Sequence, residues 1–216
     1  VQEIPTRIRT RKDLDCLIGL VVARDQGLRS AHAVAGNPYY RKRPQGFPSL
    51  LKIMVEQQLS RASADAIWGR LTALVPDLTP RMVLNTPEDS LRRVGLSRPK
   101  VRYARTIADA VESGSLPLDR LPRLPDDRVM ESLCAVTGIG RWTAEIYMLF
   151  CLGRPNVWPA GDVAVQAALQ MLHNLESRPD ARQMDAIAQA WHPLRGIAAL
   201  ILWQYYRHMK NRPVWV

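Results

Sequence analysis

Apolar side chains recur at steps of three and four along nearly the whole chain, and no segment alternates them at period two between hairpin turns. That pattern leaves room for one-sided helices packed on one another, and the chain reads as all-α. Across 49–59 the stripe is Leu50, Leu51, Met54, Val55 and Leu59. Ser60 interrupts it, and a second helix is expected over 61–74, stopped by Pro76. Thr86-Pro87-Glu88-Asp89 has the form of a helix start: a hydroxyl cap, a proline where no N–H is needed, then acidic residues at the positive end of the dipole. Gly95 ends that short helix; Pro99 opens the next and Gly114 closes it. Asp126 is expected to cap a helix carrying Val129, Met130 and Leu133, and a later one bears Trp142, Ile146, Leu149 and Phe150 on one stripe. Further helices are expected over 12–24, 163–175, 180–191 and 193–209. Residues 26–47, with Gly36, Pro38, Pro44 and Gly46, read as a long irregular connection.

With 216 residues, 47% apolar and 23% charged, the chain has the make-up of a folded domain and not of a disordered tail, a collagen-like fibre or a disulfide scaffold. The apolar run 17–23 is far too short for a bilayer span, and 1–10 carry Glu3, Pro5, Arg7 and Arg9 where a signal core would need apolar residues. A soluble, cytoplasmic protein is the expectation, with no membrane partner. Thirty Lys and Arg against twenty Asp and Glu leave a net charge of +10, which favours a polyanion through counterion release and steering. Only five of the thirty are Lys, so coding bias toward arginine is the competing explanation. Cys16, Cys134 and Cys151 each lie in an apolar stretch and are expected to be reduced and buried. His32, His173, His192 and His208 have no ligand spacing; neither zinc nor an iron–sulfur cluster is expected.

The most informative segment is Val136-Thr137-Gly138-Ile139-Gly140-Arg141-Trp142-Thr143-Ala144, set between two amphipathic helices. Two glycines one residue apart permit a turn with positive φ, and such a turn aims N–H groups outward at the start of the next helix, where the dipole favours an anion. A tight helix–helix turn with no ligand is the alternative. Twenty-four residues after Gly138, in Trp158-Pro159-Ala160-Gly161-Asp162-Val163, stands a lone aspartate ahead of a helical stretch. It is a good N-cap, and it is also the group that cleavage of an N-glycosidic bond calls for: a fixed carboxylate beside the sugar carbon stabilises the oxocarbenium-like transition state and orients the attacking water. The two roles are compatible, since a cap holds the carboxylate still.

Together, the hairpin and the spaced aspartate resemble the helix–hairpin–helix DNA glycosylases of base-excision repair, over roughly 47–207. Gly-Arg-Trp-Thr-Ala at 140–144 resembles the alkylation-repair branch, of DNA-3-methyladenine glycosylase II type. The resemblance implies two packed helical subdomains with a cleft between them, double-stranded DNA as partner, a monomer, no cofactor, and Asp162 as the catalytic carboxylate. The subdomains are expected over about 48–120 and about 121–216, the latter holding the hairpin and taking the N-terminal helix 11–25 against it. Relatives that also nick the backbone carry a lysine two residues past the second hairpin glycine. Here that residue is Trp142, and no lysine occurs between Lys100 and Lys210, so lyase chemistry lacks its amine nucleophile.

Trp142 and Trp203 match tryptophans of that branch's base pocket, whose aromatic faces would attract a cationic alkylpurine. Ile146 stands where the relative has a tyrosine, with Tyr147 adjacent. Taken singly, each such aromatic would be core. Tyr39, Tyr40, Tyr205 and Tyr206 are further candidates without a place. Base extrusion needs a side chain to fill the vacated stack, and in Gln57-Gln58-Leu59-Ser60 the resemblance assigns this to Gln58, in place of a leucine, with Leu59 beside it. A helix-end glutamine bonding to backbone is the alternative. Phosphate contacts are expected from the amides of Gly138 and Gly140 and from Thr143, with Arg141 as auxiliary. Arg92, Arg93, Arg98, Lys100, Arg102 and Arg105 either add electrostatic footing or form a solvated face. The family's monovalent cation would fall on the carbonyls of Cys134, Val136 and Ile139.

The resulting expectation is a monofunctional glycosylase that flips alkylated purines of the 3-methyladenine type out of duplex DNA. A glycosylase of the same fold for deaminated or mismatched bases, and a non-catalytic DNA-gripping module, are the alternatives.

Overall fold

Thr10 starts the first helix by a reciprocal exchange. Its hydroxyl accepts the Asp13 N–H at 3.1 Å while the Asp13 carboxylate accepts the Thr10 N–H at 2.8 Å. The structure, a computed structural model, describes residues 4–211. Twelve α-helices and two 3-10 turns are found among the described residues, with no strand. They are α1 (Arg11–Arg24), α2 (Gln26–Ala35), α3 (Phe47–Glu56), α4 (Arg61–Leu74), α5 (Pro80–Asn85), α6 (Glu88–Arg93), α7 (Arg98–Glu112), α8 (Asp126–Cys134), α9 (Arg141–Phe150), α10 (Val163–His173), α11 (Ala181–Ile187) and α12 (Arg195–Met209).

The chain divides into two compact units, one formed by Val1–Lys42 with Met148–Val216, the other by Arg43–Tyr147. The first is built on α12, whose residues from Gly196 to Leu202 are all buried and which packs against α1, α2 and α10. Each fully buried Leu or Ile on such a helix contributes about 1.5–3 kcal/mol. Gly196 lets the start of α12 approach closely: its N–H donates to Pro155 O at 2.8 Å, and a Cβ would stand 2.9 Å from that oxygen. In the second unit α7 is the hub, meeting α3, α5 and α6, while α4 lies on α3. The hairpin belongs to this second unit. The two units meet in sequence at Tyr147 and Met148, where the expectation put a boundary near residue 120; Gln57, just past α3, bonds to the hairpin. In the first unit α1 and α2 both pack on α12.

Several local expectations shift. The segment 26–47 is not irregular throughout: Asp25 accepts the Leu28 N–H at 2.8 Å and starts α2, which Gly36 ends at φ 74. The glycines and prolines that signalled a loop all lie at or beyond Gly36. The Thr86 hydroxyl does not cap α6; it donates to Met82 O at 2.7 Å and closes α5, leaving Pro87 as the α6 cap residue. Asp126 is the first residue of α8 and not its cap, with Pro125 in that place; its negative charge still faces the positive end of the dipole. Asp180 caps α11 in a capping box with Gln183, and the helix expected over 180–191 ends at Ile187, followed by a 3-10 turn over Ala188–Trp191. Cys151 is buried, Cys16 half-buried, and Cys134 exposed on α8, contrary to the expectation for that thiol. No described helix is long and apolar enough to cross a membrane.

Candidate functional site

In the second unit, α8 and α9 are joined by the glycine turn. Gly138 has φ 101, and a Cβ on it would lie 2.6 Å from Tyr103 Cβ, so both the backbone angle and the α7 side chain demand glycine. Ile139 is buried and its N–H closes the turn on Val136 O at 3.0 Å. Gly140 differs. Its φ is not positive and nothing lies within 4 Å of an ideal Cβ, so no neighbour in the protein excludes a side chain there. Among the described residues the amides of Gly138 and Gly140 meet no acceptor, while Gly140 O accepts the Ala144 N–H at the start of α9. Two open donors beside a helix N-terminus have the chemistry to receive an anion.

The turn is braced by Gln57. Its side-chain amide donates to Gly138 O at 3.4 Å and, by a short bond, to the Thr143 hydroxyl. Thr143, expected at a phosphate, is only 1% exposed and accepts this amide; it shapes the hairpin from inside. The Arg141 guanidinium is half exposed and pairs at 2.8 Å with Glu145, a carboxylate only 3% exposed.

Past α3 the chain turns sharply. That helix ends at Glu56, earlier than its apolar stripe implied, and Gln58 stands in the left-handed region at φ 55. Gln58 and Leu59 are both exposed, so the residues read as a duplex wedge sit at an exposed tip of the turn between α3 and α4. Gln58 lies beyond the helix.

In the first unit, Asp162 is the N-cap of α10. One carboxylate oxygen, Oδ1, accepts the Ala164 N–H at 2.9 Å, the Val165 N–H at 3.0 Å and the Trp203 indole N–H at 3.0 Å. The loop that delivers it is fixed: Asp162 N–H donates to Pro159 O at 2.9 Å, and the buried Gln166 amide donates to Ala160 O at 2.8 Å. Trp158 is buried, edge-on to Trp191, and its indole N–H donates to Met184 O at 3.1 Å. Trp203 continues into an aromatic series. Its ring lies 5.9 Å from that of Phe150, which stacks on Tyr40 at 5.5 Å; the Tyr40 hydroxyl donates to Leu149 O at 3.0 Å. Burial pushes the Tyr40 phenol well above its ordinary pKa, so it stays neutral and a donor. Phe150 was legible only as one residue of a helical stripe, and Tyr40 had no assignable place.

The remaining candidates divide. Trp142 is half-buried in the first turn of α9 and Ile146 is buried. Tyr147 is fully buried, and its hydroxyl accepts the Gly46 N–H at 2.9 Å. It lies in the core of the second unit. The basic run is also heterogeneous. Lys100 donates to Val55 O and Gln57 O, both at 2.7 Å, and Arg105 to Leu84 O at 3.0 Å and Thr86 O at 3.2 Å. Two cations read as electrostatic footing thus close the carbonyl ends of α3 and α5. Arg92, Arg93, Arg98 and Arg102 stay exposed. At the hairpin carbonyls, Val136 O already takes the Ile139 amide, and no group of His, Cys, Asp or Glu able to hold a metal occurs among the described residues.

Comparison with known proteins gives a consistent relationship. Residues 51–193 match the model of the HhH-GPD superfamily base excision DNA repair protein. DNA-3-methyladenine glycosylase 1 of Schizosaccharomyces pombe is 29% identical over 167 residues, covering 76% of this chain and 73% of that protein. Among solved structures, the 3-methyladenine DNA glycosylase of that yeast, in complex with abasic DNA, superposes with a TM-score of 0.81 at 26% identity, over 87% of this chain and 95% of that one. The DNA-3-methyladenine glycosidase of Bacillus halodurans gives 0.78 at 34% identity, over 90% and 91%. The matched span contains both the Gly138 hairpin and Asp162, and the chain belongs to the HhH-GPD superfamily of base excision DNA repair proteins.

Proposed function

We propose that the protein hydrolyses the N-glycosidic bond of alkylated purines of the 3-methyladenine type in duplex DNA, without cutting the backbone. The observation that carries this reading is Asp162: a carboxylate held at a helix N-terminus by two backbone amides and one indole. Positive charge grows on the deoxyribose as the bond to the base stretches. At ~4 Å and an effective dielectric of ~20, a fixed carboxylate lowers that charge's energy by roughly 4 kcal/mol. The same group orients water for attack on the sugar carbon, and rigid support means that little reorganisation is needed during reaction.

The amides of Gly138 and Gly140 are proposed to take a DNA phosphate, with Arg141 beside them. Gln58 and Leu59 are proposed to enter the stack when the base leaves it. Trp142, Ile146 and Trp203 are the proposed base-recognising residues; an aromatic face favours a cationic alkylpurine, which is also a good leaving group. Hydrolysis without lyase activity is supported by Trp142 at the position where an amine nucleophile would be needed, and by the lack of lysine between Lys100 and Lys210. No step is routed through a cation at the Cys134, Val136 and Ile139 carbonyls. A monomer acting on double-stranded DNA suffices.

The test is release of free base from methylated, deaminated and undamaged duplexes, with the strands then checked for cleavage. Free 3-methyladenine with intact strands supports the reading. Release of deaminated bases only would assign a different substrate, and duplex binding without any release would leave a DNA-gripping module.

A further inference from the structure

Lys100 lies in the first turn of α7, yet its ammonium reaches the end of α3 and donates to two carbonyls, Val55 O and Gln57 O, at 2.7 Å each. Gln57 is therefore held twice. Its backbone oxygen is fixed by Lys100, and its side-chain amide by Gly138 O and the Thr143 hydroxyl. The next residue, Gln58, adopts φ 55, and Leu59 follows at 37% exposed before Ser60 caps α4. The exposed tip is thus joined to the glycine hairpin through a single residue clamped at both ends. Burial lowers the Lys100 pKa, so the ammonium sits where its charge is disfavoured by desolvation and is retained by two short bonds.

We infer that Lys100 is a positioning residue for base extrusion: it fixes the distance between the Gln58–Leu59 tip and the Gly138–Gly140 turn, so that a duplex whose backbone rests on the turn meets the tip in register. This inference rests on the reading of the protein as a base-extruding glycosylase. Lys100 touches neither the sugar nor the base in that scheme. Its effect is on the opening of the stack and not on bond cleavage, which makes the two separable by substrate. A lesion in an intact pair needs the tip; a lesion opposite an abasic gap is already loosely held and needs it little.

The experiment compares single-turnover release of 3-methyladenine from these two duplexes by the wild type and by Lys100→Met, which keeps the stem and removes the donors. Release from the paired lesion should fall up to ~100-fold, that from the gapped lesion less than ~3-fold, and Lys100→Arg should recover much of the loss. Equal losses on both duplexes, or none on the paired one, would overturn the inference. Thr143→Val frees the other clamp and should give the same contrast, which keeps the test open should Lys100→Met not fold. If the wild type releases no base at all, the glycosylase reading fails. The positioning role is then judged by fluorescence of 2-aminopurine beside an abasic-site analogue: a rise with the wild type and none with Lys100→Met supports it, and equal behaviour refutes it.

Discussion

The indole N–H of Trp203 and the amides of Ala164 and Val165 in the first turn of α10 converge on the same oxygen of Asp162. The cap of α10 and the proposed catalytic carboxylate are thereby one group, and substitutions can pull the two roles apart. Asn caps helices about as well as Asp, so Asp162→Asn should alter the unfolding free energy by less than about 0.5 kcal/mol while abolishing base release. Trp203→Phe keeps an aromatic ring, though a smaller one, and removes a hydrogen bond to a charged group worth about 1.5–3 kcal/mol, so release should drop by roughly ten- to a hundredfold with duplex affinity little changed. Single-turnover assays beside binding titrations check both.

The two hairpin glycines should respond oppositely to alanine. Gly138→Ala meets both a left-handed backbone and Tyr103, and should lower stability by about 1–3 kcal/mol in denaturant unfolding. Gly140→Ala has neither obstacle, so the fold should be unaffected while duplex affinity falls, because the new methyl occupies the approach of the phosphate. Unchanged affinity in Gly140→Ala would remove the phosphate from that place.

Tyr147→Phe distinguishes core from pocket. Loss of the hydroxyl leaves the Gly46 N–H without its acceptor and should cost about 1 kcal/mol of stability. The relative rates on different lesions should stay as in the wild type. A changed ranking would return Tyr147 to the base pocket.

Asp13 gives a pH dependence. The backbone N–H groups of Thr10 and Arg9 hold its carboxyl below the ordinary 3.8. Between the folded value and 3.8 the unfolded chain binds more protons, so stability rises with pH there. The contribution is complete above 3.8 and disappears as pH falls through the folded value. The stability difference between wild type and Asp13→Asn should accordingly shrink on acidification in that window, measured by urea unfolding at several pH values.

What could be read from the sequence was whatever depends on near neighbours. The all-α class, the hairpin and the helix following Asp162 rest on period, glycine spacing and a capping residue, each local. Boundaries failed where one residue type serves two ends: Thr86 looked like a start because proline and acids follow it, but its hydroxyl bonds backward to Met82. Lys100 and Arg105 looked like a charged face because the carbonyls they reach lie 43 and 45, or 19 and 21, residues away. The Tyr40, Phe150 and Trp203 series joins three distant segments, and no spacing rule announces it. Gln57 and Gln58 are identical in composition terms; only the end of α3 at Glu56 turns one inward to the hairpin and the other to solvent.

The first unit is assembled from both ends of the chain, whereas the second is one unbroken stretch. During synthesis the apolar stripe of Leu14, Leu17, Ile18 and Val21 leaves the ribosome long before α12, one of the two helices that pack on α1, has been translated. The central stretch has every contact partner of its own in hand by Tyr147 and is free to fold while the opening segment waits. An expression strategy that slows translation before 148 would lengthen that wait, and co-translational aggregation should start from the N-terminal helices.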